Sequence, residues 1–249
     1  MNKLEIIPVG GFPEVREGAD IAALFLEAAR RSRVELADRD VVVVKQKIVS
    51  KAEGRLVRLA DVEPGRDARK LAEAQGKDPR LVELVLRESL RVVRAGHGVI
   101  ITETKHRLVC ANSGVDRSNV RRGYAALLPA DPDGSARRIR RELEEATGRK
   151  VAVIISDTFG RPWRRGQTDV AIGCSGIDPL LSYLGKTDRY GYELRVTEPA
   201  VVDEIAGAAE LATGKLSRIP AAVVRGAAYA RGERGVRSIA IEREKDLFR

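Results

Sequence analysis

Three short runs in which every residue is apolar stand out along the chain: residues 41–44, 151–155 and 221–224. A strand with no polar alternation is one covered on both faces, so these runs predict the buried strands of a sheet packed between other layers. Residues 4–9 read as a further strand, stopped by Gly10 and Gly11, and residues 238–241 as the last one. Between them the period changes. Ile21, Leu24, Phe25 and Ala28 recur at helical spacing behind a cap at Asp20, and residues 67–75 read as a helix that Gly76 stops. Asp78 followed by Pro79 marks another helix start, with Leu81, Leu84, Val85 and Val92 as its apolar face. Residues 99–102 and 108–111 predict strands around the polar turn Lys105, His106 and Arg107, and they lead into residues 111–119, too polar and glycine-bearing for either regular form. Ser135 is read as the cap of a helix running through Ile139 and Leu143 to Gly148, and residues 196–212 as a helix through Val201, Val202, Ile205 and Ala208. Strands and helices intermingle without a linker or repeat. The expectation is one domain over residues 1–249.

Composition narrows the class. The 249 residues are 43% hydrophobic and 33% charged, which is globular and ample for a core. No apolar run approaches a membrane span and the N-terminus lacks a leader, so a cytoplasmic protein with no membrane partner is expected. Cys110 and Cys174 are too few and too far apart for a disulfide framework or a CxxC motif and read as buried thiols. With His97 and His106 as the only histidines, both read as surface residues, a multi-histidine zinc site has no material. The formal charge of +9 predicts an anionic partner without choosing between nucleic acid, nucleotide and acidic small molecules. Aromatics at 4% leave little for base-stacking platforms, so nucleic acid is not the expected partner.

The standard motifs fail one by one. GAAELATGK at 207–215 has its glycines misplaced for a Walker loop, with Leu216 where a hydroxyl should hold magnesium. No GxGxxG follows a strand, and no GxSxG elbow is present. Asp131, Pro132, Asp133 and Gly134 lack the remaining ligands of a calcium loop and read as a turn. What remains is dispersed: Lys47 and Lys51 after the second strand, Asp116 and Asn119 in the polar loop, and Asp157 and Thr158 where residues 151–155 are expected to end before Gly160 and Pro162 turn the chain. Carboxylates with lysines fit a divalent cation and phosphate chemistry. Asp after a strand also serves as a plain turn residue, and charged loops are ordinarily just solvated.

Five segments change that balance. KIVSKAEGRLV at 47–57, CANSGVDRSNV at 110–120, DPDGSA at 131–136, ISDTFGRPWRRGQTDVAIGCSG at 155–176 and IPAAVVRG at 219–226 together resemble the coenzyme F420-0:L-glutamate ligase family, in order and over almost the whole chain. The resemblance implies an α+β fold of two mixed α/β subdomains with a nucleotide and metal site between strand-end loops. It implies a GTP-dependent enzyme that joins L-glutamate to the carboxylate of coenzyme F420-0, or its dehydro precursor, through an acyl phosphate, with further γ-linked glutamates added. By position within the motifs, Asp116 and Asp157 would hold one divalent cation (magnesium or manganese) and Thr158 a second, with potassium as an accompanying ion. Gln46, Lys51 and Asn119 would contact GTP, as would Phe12, Pro13, Glu14 and Val15. Lys47, Arg164 and Arg165 are added from charge and placement, with Lys47 and Arg165 joining Asp116 and Asp157 in a catalytic role.

The resemblance also implies a homodimer in the cytoplasm, and an end at Arg249 leaves no room for the flavin reductase domain fused to some relatives. One departure bears on the site. Residues 214–218, Gly-Lys-Leu-Ser-Arg, differ from the family pattern where the second cation or the phosphates would be completed. The competing readings are a basic nucleic-acid-binding module, and a nucleotide-dependent amide ligase with another acceptor.

Overall fold

The three apolar runs lie together in one sheet of the computed structural model, which describes residues 3–248. In chain order the elements are β1 (Glu5–Val9), α1 (Ile21–Arg31), β2 (Val41–Lys45), α2 (Gln46–Ala52), β3 (Leu56–Arg58), α3 (Arg66–Gln75), α4 (Pro79–Arg87), β4 (Ser89–Gly96), β5 (Val99–Thr104), β6 (Val109–Ala111), β7 (Tyr124–Ala126), α5 (Pro132–Thr147), β8 (Ala152–Arg161), β9 (Arg164–Ser175), α6 (Val201–Thr213) and β10 (Ala221–Arg225). The main sheet runs β1-β10-β2-β8-β9. Only the β2–β8 pair is parallel.

Alternation along these strands divides the apolar residues between two cores. Val42, Val44, Val153, Ile155 and Val223 face α1, α2 and α5, where Phe25, Ile139 and Leu143 are fully buried. Val41, Val43, Ile154, Ala222 and Val224 face α6 through Val202, Ile205 and Ala206. Helices on both faces explain why the runs carry no polar position: each Val or Ile so buried contributes roughly 1.5–3 kcal/mol.

Residues between α2 and α5 build a second, smaller body with its own cores. One gathers Leu59, Val62, Leu84, Ala125 and Leu127 near the β3–β7 pair; the other gathers Ala68, Ala72, Val82, Val85 and Ile100 between α3, α4 and the β4-β5-β6 sheet. The chain leaves and returns at adjacent points, since the Leu127 amide donates to the Arg55 carbonyl at 2.9 Å and Arg55 Nε to the Leu128 carbonyl at 2.9 Å. The fold is therefore α+β with mixed α/β layers, as the resemblance implied.

Several local expectations change. Residues 151–155 do not end at Ser156: β8 continues through Asp157 and Thr158 to Arg161 and pairs with β9 as a long hairpin. Val92 lies in β4, because α4 stops at Arg87 and the chain turns into a strand of alternating exposure. The cap of α5 is Asp131, whose carboxylate accepts from the Gly134 amide, while Ser135 lies inside the helix. Residues 238–241 form no strand; Val236–Ile239 is a 3-10 turn instead. Asp20 does cap α1, accepting from the Ala23 amide, and Gly76 ends α3 in the left-handed region. Among the described residues no helix is long and apolar enough to cross a membrane.

Candidate active site

Parallel strands point their carboxyl ends the same way, and open α/β sheets place ligands there. β2 and β8 are the parallel pair, in register up to Lys45 opposite Ser156. Beyond that pair β2 turns directly into α2, whereas β8 runs on, leaving Asp157 and Thr158 past the end of their neighbour. A cleft of about 940 Å³ opens at this point.

Its walls come from five parts of the chain. Phe12, Pro13, Glu14 and Val15 follow β1; Gln46, Lys47 and Lys51 lie on α2; Asp116 and Asn119 sit in the loop after β6; Asp157 and Thr158 come from β8; Lys215, Arg218 and their neighbours lead into β10. Every candidate residue drawn from the resemblance thus lines one cleft. Arg164 and Arg165 do not: they open β9 on the exposed tip of the β8–β9 hairpin and are absent from the cleft wall. His97 is exposed and His106 half-buried, and Cys110 and Cys174 are free and buried. Burial pushes both thiols up to about 12, with the Asp157 charge adding to the shift at Cys110, so neither supplies a thiolate nucleophile at neutral pH.

Helix α2 distributes three lysines among carboxylates on separate elements. Lys45, at its N-cap, donates to Asp169 of β9 at 2.5 Å and also to Glu210 of α6. Lys47 donates to Asp116 Oδ2 at 2.7 Å. One turn later, the buried Lys51 donates to Glu14 Oε1 at 2.5 Å. Helical spacing places Lys47 and Lys51 on one face. The buried Gln46 is held from behind, its Oε1 accepting from the Ser50 hydroxyl at 2.8 Å.

The loop that carries Asp116 is bent by left-handed backbone at three successive residues, Asn112, Ser113 and Gly114. Gly114, with φ near +71°, packs so closely that a Cβ there would stand 2.6 Å from Leu128 Cγ. The Ser113 hydroxyl ties the bend to the inserted body by donating to the Val85 carbonyl at 2.9 Å and meeting Thr102 Oγ1 at 2.8 Å. Asp116 then bridges to Ala126 through its own backbone in both directions.

The two carboxylates differ in electrostatics. Burial tends to raise Asp116, but hydrogen bonds from the Lys47 ammonium and the Ser118 hydroxyl outweigh it, leaving the carboxyl below its ordinary value. At Asp157 burial prevails: against the Thr158 amide and Lys47, which lower it, desolvation with the Asp169 and Asp116 charges holds it up to about 6. Thr158 Oγ1 donates to Asp169 Oδ1 at 2.7 Å and receives Lys215 Nζ at 3.4 Å.

Sequence reasoning missed Lys45, Asp169 and Glu210, and it marked Lys215 only as part of the departing segment 214–218. Asp169 is fully buried behind Ser156 and Thr158, accepting from the Ser156 hydroxyl at 3.0 Å, and only the unforeseen β8–β9 hairpin brings it there. A lysine closing an otherwise apolar strand was the available signal for Lys45.

No group of three or more His, Cys, Asp or Glu side chains converges as a metal cage among the described residues. The site instead suits a hard cation held by one or two carboxylates, with water and phosphate oxygens completing the shell. Asp157 fits that role, because its neighbouring carboxylates leave negative charge that a cation would relieve. At Thr158 the fit is different, since Lys215, from the segment that departs from the family pattern, already brings a positive charge to the hydroxyl.

The sequence profile described as F420-0:Gamma-glutamyl ligase matches residues 11–226. Among curated proteins, the coenzyme F420:L-glutamate ligase of Methanothermobacter thermautotrophicus is 46% identical over 249 residues, covering 99% of both chains. That of Methanopyrus kandleri is 46% identical, covering 99% of this chain and 98% of its own. That of Archaeoglobus fulgidus is 43% identical, covering 99% and 97%. With the profile spanning the cleft residues from Phe12 to Pro220 and the relatives aligned nearly end to end, this chain belongs to the F420-0:gamma-glutamyl ligase family.

Proposed function

We propose that this chain is a GTP-dependent ligase that joins the amine of L-glutamate to the terminal carboxylate of coenzyme F420-0 or its dehydro form, then extends the product with γ-linked glutamates. The observation that carries the reading is the convergence of Asp116 and Asp157, distant in sequence, with Lys47, Lys51 and Thr158 in one cleft at the ends of parallel strands. The names of the relatives supply the substrates.

The acceptor carboxylate attacks the γ-phosphorus of GTP, GDP leaves with the broken phosphoanhydride electrons, and an acyl phosphate forms. The glutamate amine then attacks the acyl carbon, phosphate departs, and the nitrogen loses its proton to give the amide. Little of this needs covalent chemistry from the protein, so positioning and charge supply the catalysis. Asp116 and Asp157 would hold magnesium or manganese, with a second ion at Thr158 where Lys215 moves aside, and the bound ions would supply positive charge to the γ-phosphate oxygens. Lys51, with Gln46, Asn119 and residues 12–15, holds the nucleotide. Lys47, which pairs with Asp116 at 2.7 Å, would neutralise phosphate oxygens beside that carboxylate. Asp169 keeps the Thr158 hydroxyl proton turned inward, leaving that oxygen as an acceptor toward Lys215 Nζ at 3.4 Å and the cleft.

The test is product mass analysis after incubation with GTP, L-glutamate, magnesium and coenzyme F420-0. The expected result is a product heavier by one or more glutamyl residues, with stoichiometric GDP. GTP binding without any amide product would sink the reading. A homodimer in the cytoplasm belongs to the same proposal, and light scattering of the purified chain checks the dimer.

A further inference from the structure

Beside the first cleft lies a second of about 500 Å³, and its wall has a different chemistry. Arg58, Arg80, Arg117, Arg121 and Arg122 line it against a single carboxylate, Asp78. That carboxylate is already committed, accepting from Arg80 Nε at 3.0 Å and from its terminal nitrogen at 2.7 Å. Arg58 has only a long contact to Asp61, at 3.8 Å. Among the described residues Arg117, Arg121 and Arg122 form no salt bridge, whereas Lys45, Lys47 and Lys51 in the first cleft are each paired with a carboxylate. Guanidinium forks that outnumber the one committed carboxylate beside them match further carboxylate or phosphate oxygens in pairs. Arg121 lines both clefts, and Arg117 to Arg122 directly follow Asp116.

We propose that this arginine cleft receives the anionic arm of the acceptor, including the γ-glutamyl carboxylates of a growing tail, while the reacting carboxylate lies across Arg121 in the first cleft. The inference rests on the ligase reading and adds to it the path of the acceptor. GTP phosphates and acceptor carboxylates are both oxyanions, so the experiment must separate them. The shared wall at Arg121 also accounts for repeated addition: as each glutamate is joined, the carboxylates already added have charged surface to occupy.

The probe is γ-linked triglutamate, titrated calorimetrically into wild type and into the Arg117→Ala/Arg122→Ala pair. Both residues are exposed, so the fold is retained, which matching melting curves verify. The expected result is binding weakened about tenfold in the pair and suppressed by salt in the wild type. In turnover, the loss falls on KM for the acceptor and not on KM for GTP. Arg117→Lys/Arg122→Lys, which keeps the charge, binds the probe more tightly than the alanine pair. Unchanged probe affinity in the alanine pair, or a loss confined to KM for GTP, would overturn the proposal. Because the titration needs no turnover, a wild type that forms no amide would refute the ligase reading alone and leave this result readable.

Discussion

On the sheet side of the cleft, Asp157 stands in a strand hydrogen-bonded to β9 opposite Val170, one residue beyond the last pair with β2. On the loop side, Asp116 hangs from a left-handed bend fastened by Ser113, Gly114 and Ala126. The first is rigid by secondary structure and electrostatically unsatisfied, with its carboxyl held up to about 6 by burial and by its acidic neighbours. The second is fixed by particular contacts and already neutralised, with Lys47 at 2.7 Å. The difference teaches which group would gain most from a bound cation: Asp157 has charge to be relieved, whereas Asp116 would have to exchange its lysine partner for the cation or share it.

The largest effect is therefore expected at Asp157. Asp157→Asn should lower GTP-dependent amide formation about a thousandfold or more while leaving the fold intact, measured by product mass against time. Asp116→Asn should lower it nearly as far, and because Lys47 then loses its partner, thermal melting should also shift slightly downward. If Asp116→Asn kept near-normal turnover at saturating magnesium, the contrast would reduce to a single working carboxylate. Lys51→Ala should raise KM for GTP about tenfold with a smaller change in kcat, since this buried ammonium is read as a nucleotide contact; unchanged nucleotide affinity would remove it from that role.

Two further tests are read in stability. Gly114→Ala forces a side chain into left-handed backbone and against Leu128, which should cost about 2–4 kcal/mol and lower the melting temperature. The smallest effect is in pH. The folded Asp157 carboxyl titrates above its unfolded value of 3.8, so the metal-free protein prefers it protonated. The destabilisation is absent below pH 3.8, grows between there and about 6, and is complete above. Metal-free Asp157→Asn should consequently melt higher than wild type at pH 7 and equally at pH 3.5, and added magnesium should stabilise wild type alone. Equal melting at both pH values would show that burial does not dominate at Asp157.

How much of this was legible in the sequence varies with the range of the interaction. The runs at 41–44, 151–155 and 221–224 announced a doubly covered sheet, because no polar residue survives where both faces are packed. Asp20, Gly76 and Asp78 were legible because capping is settled within a few residues. Val92 was not, since leucine and valine at helical spacing continue across a turn that only β5 pairing enforces. Lys47, Lys51, Asp116, Asn119, Asp157 and Thr158 stood out by residue type at strand ends and in a polar loop, but spacing says nothing of convergence, and only the matching motifs joined them to residues 12–15 and Gln46. Lys45, Asp169 and Glu210 escaped because their partners lie on three elements whose meeting depends on the hairpin and on α6. Arg164 and Arg165 were drawn from charge and placement, and the continuation of β8 places them at the hairpin tip, off the cleft wall.

The lacing of Arg55 to Leu127 and Leu128 has a consequence for the order of assembly. Closing the chain at that point pins both ends of a long excursion, and the entropy lost rises only slowly with the excursion's length, so the inserted body adds little to the conformational search of the main sheet. Asp116 and Asp157 nevertheless belong to different bodies, and neither can find the other until both have condensed. The cleft is then a late product of folding, and a partly folded chain, however much of its sheet is formed, lacks the assembled walls that the proposed nucleotide site requires.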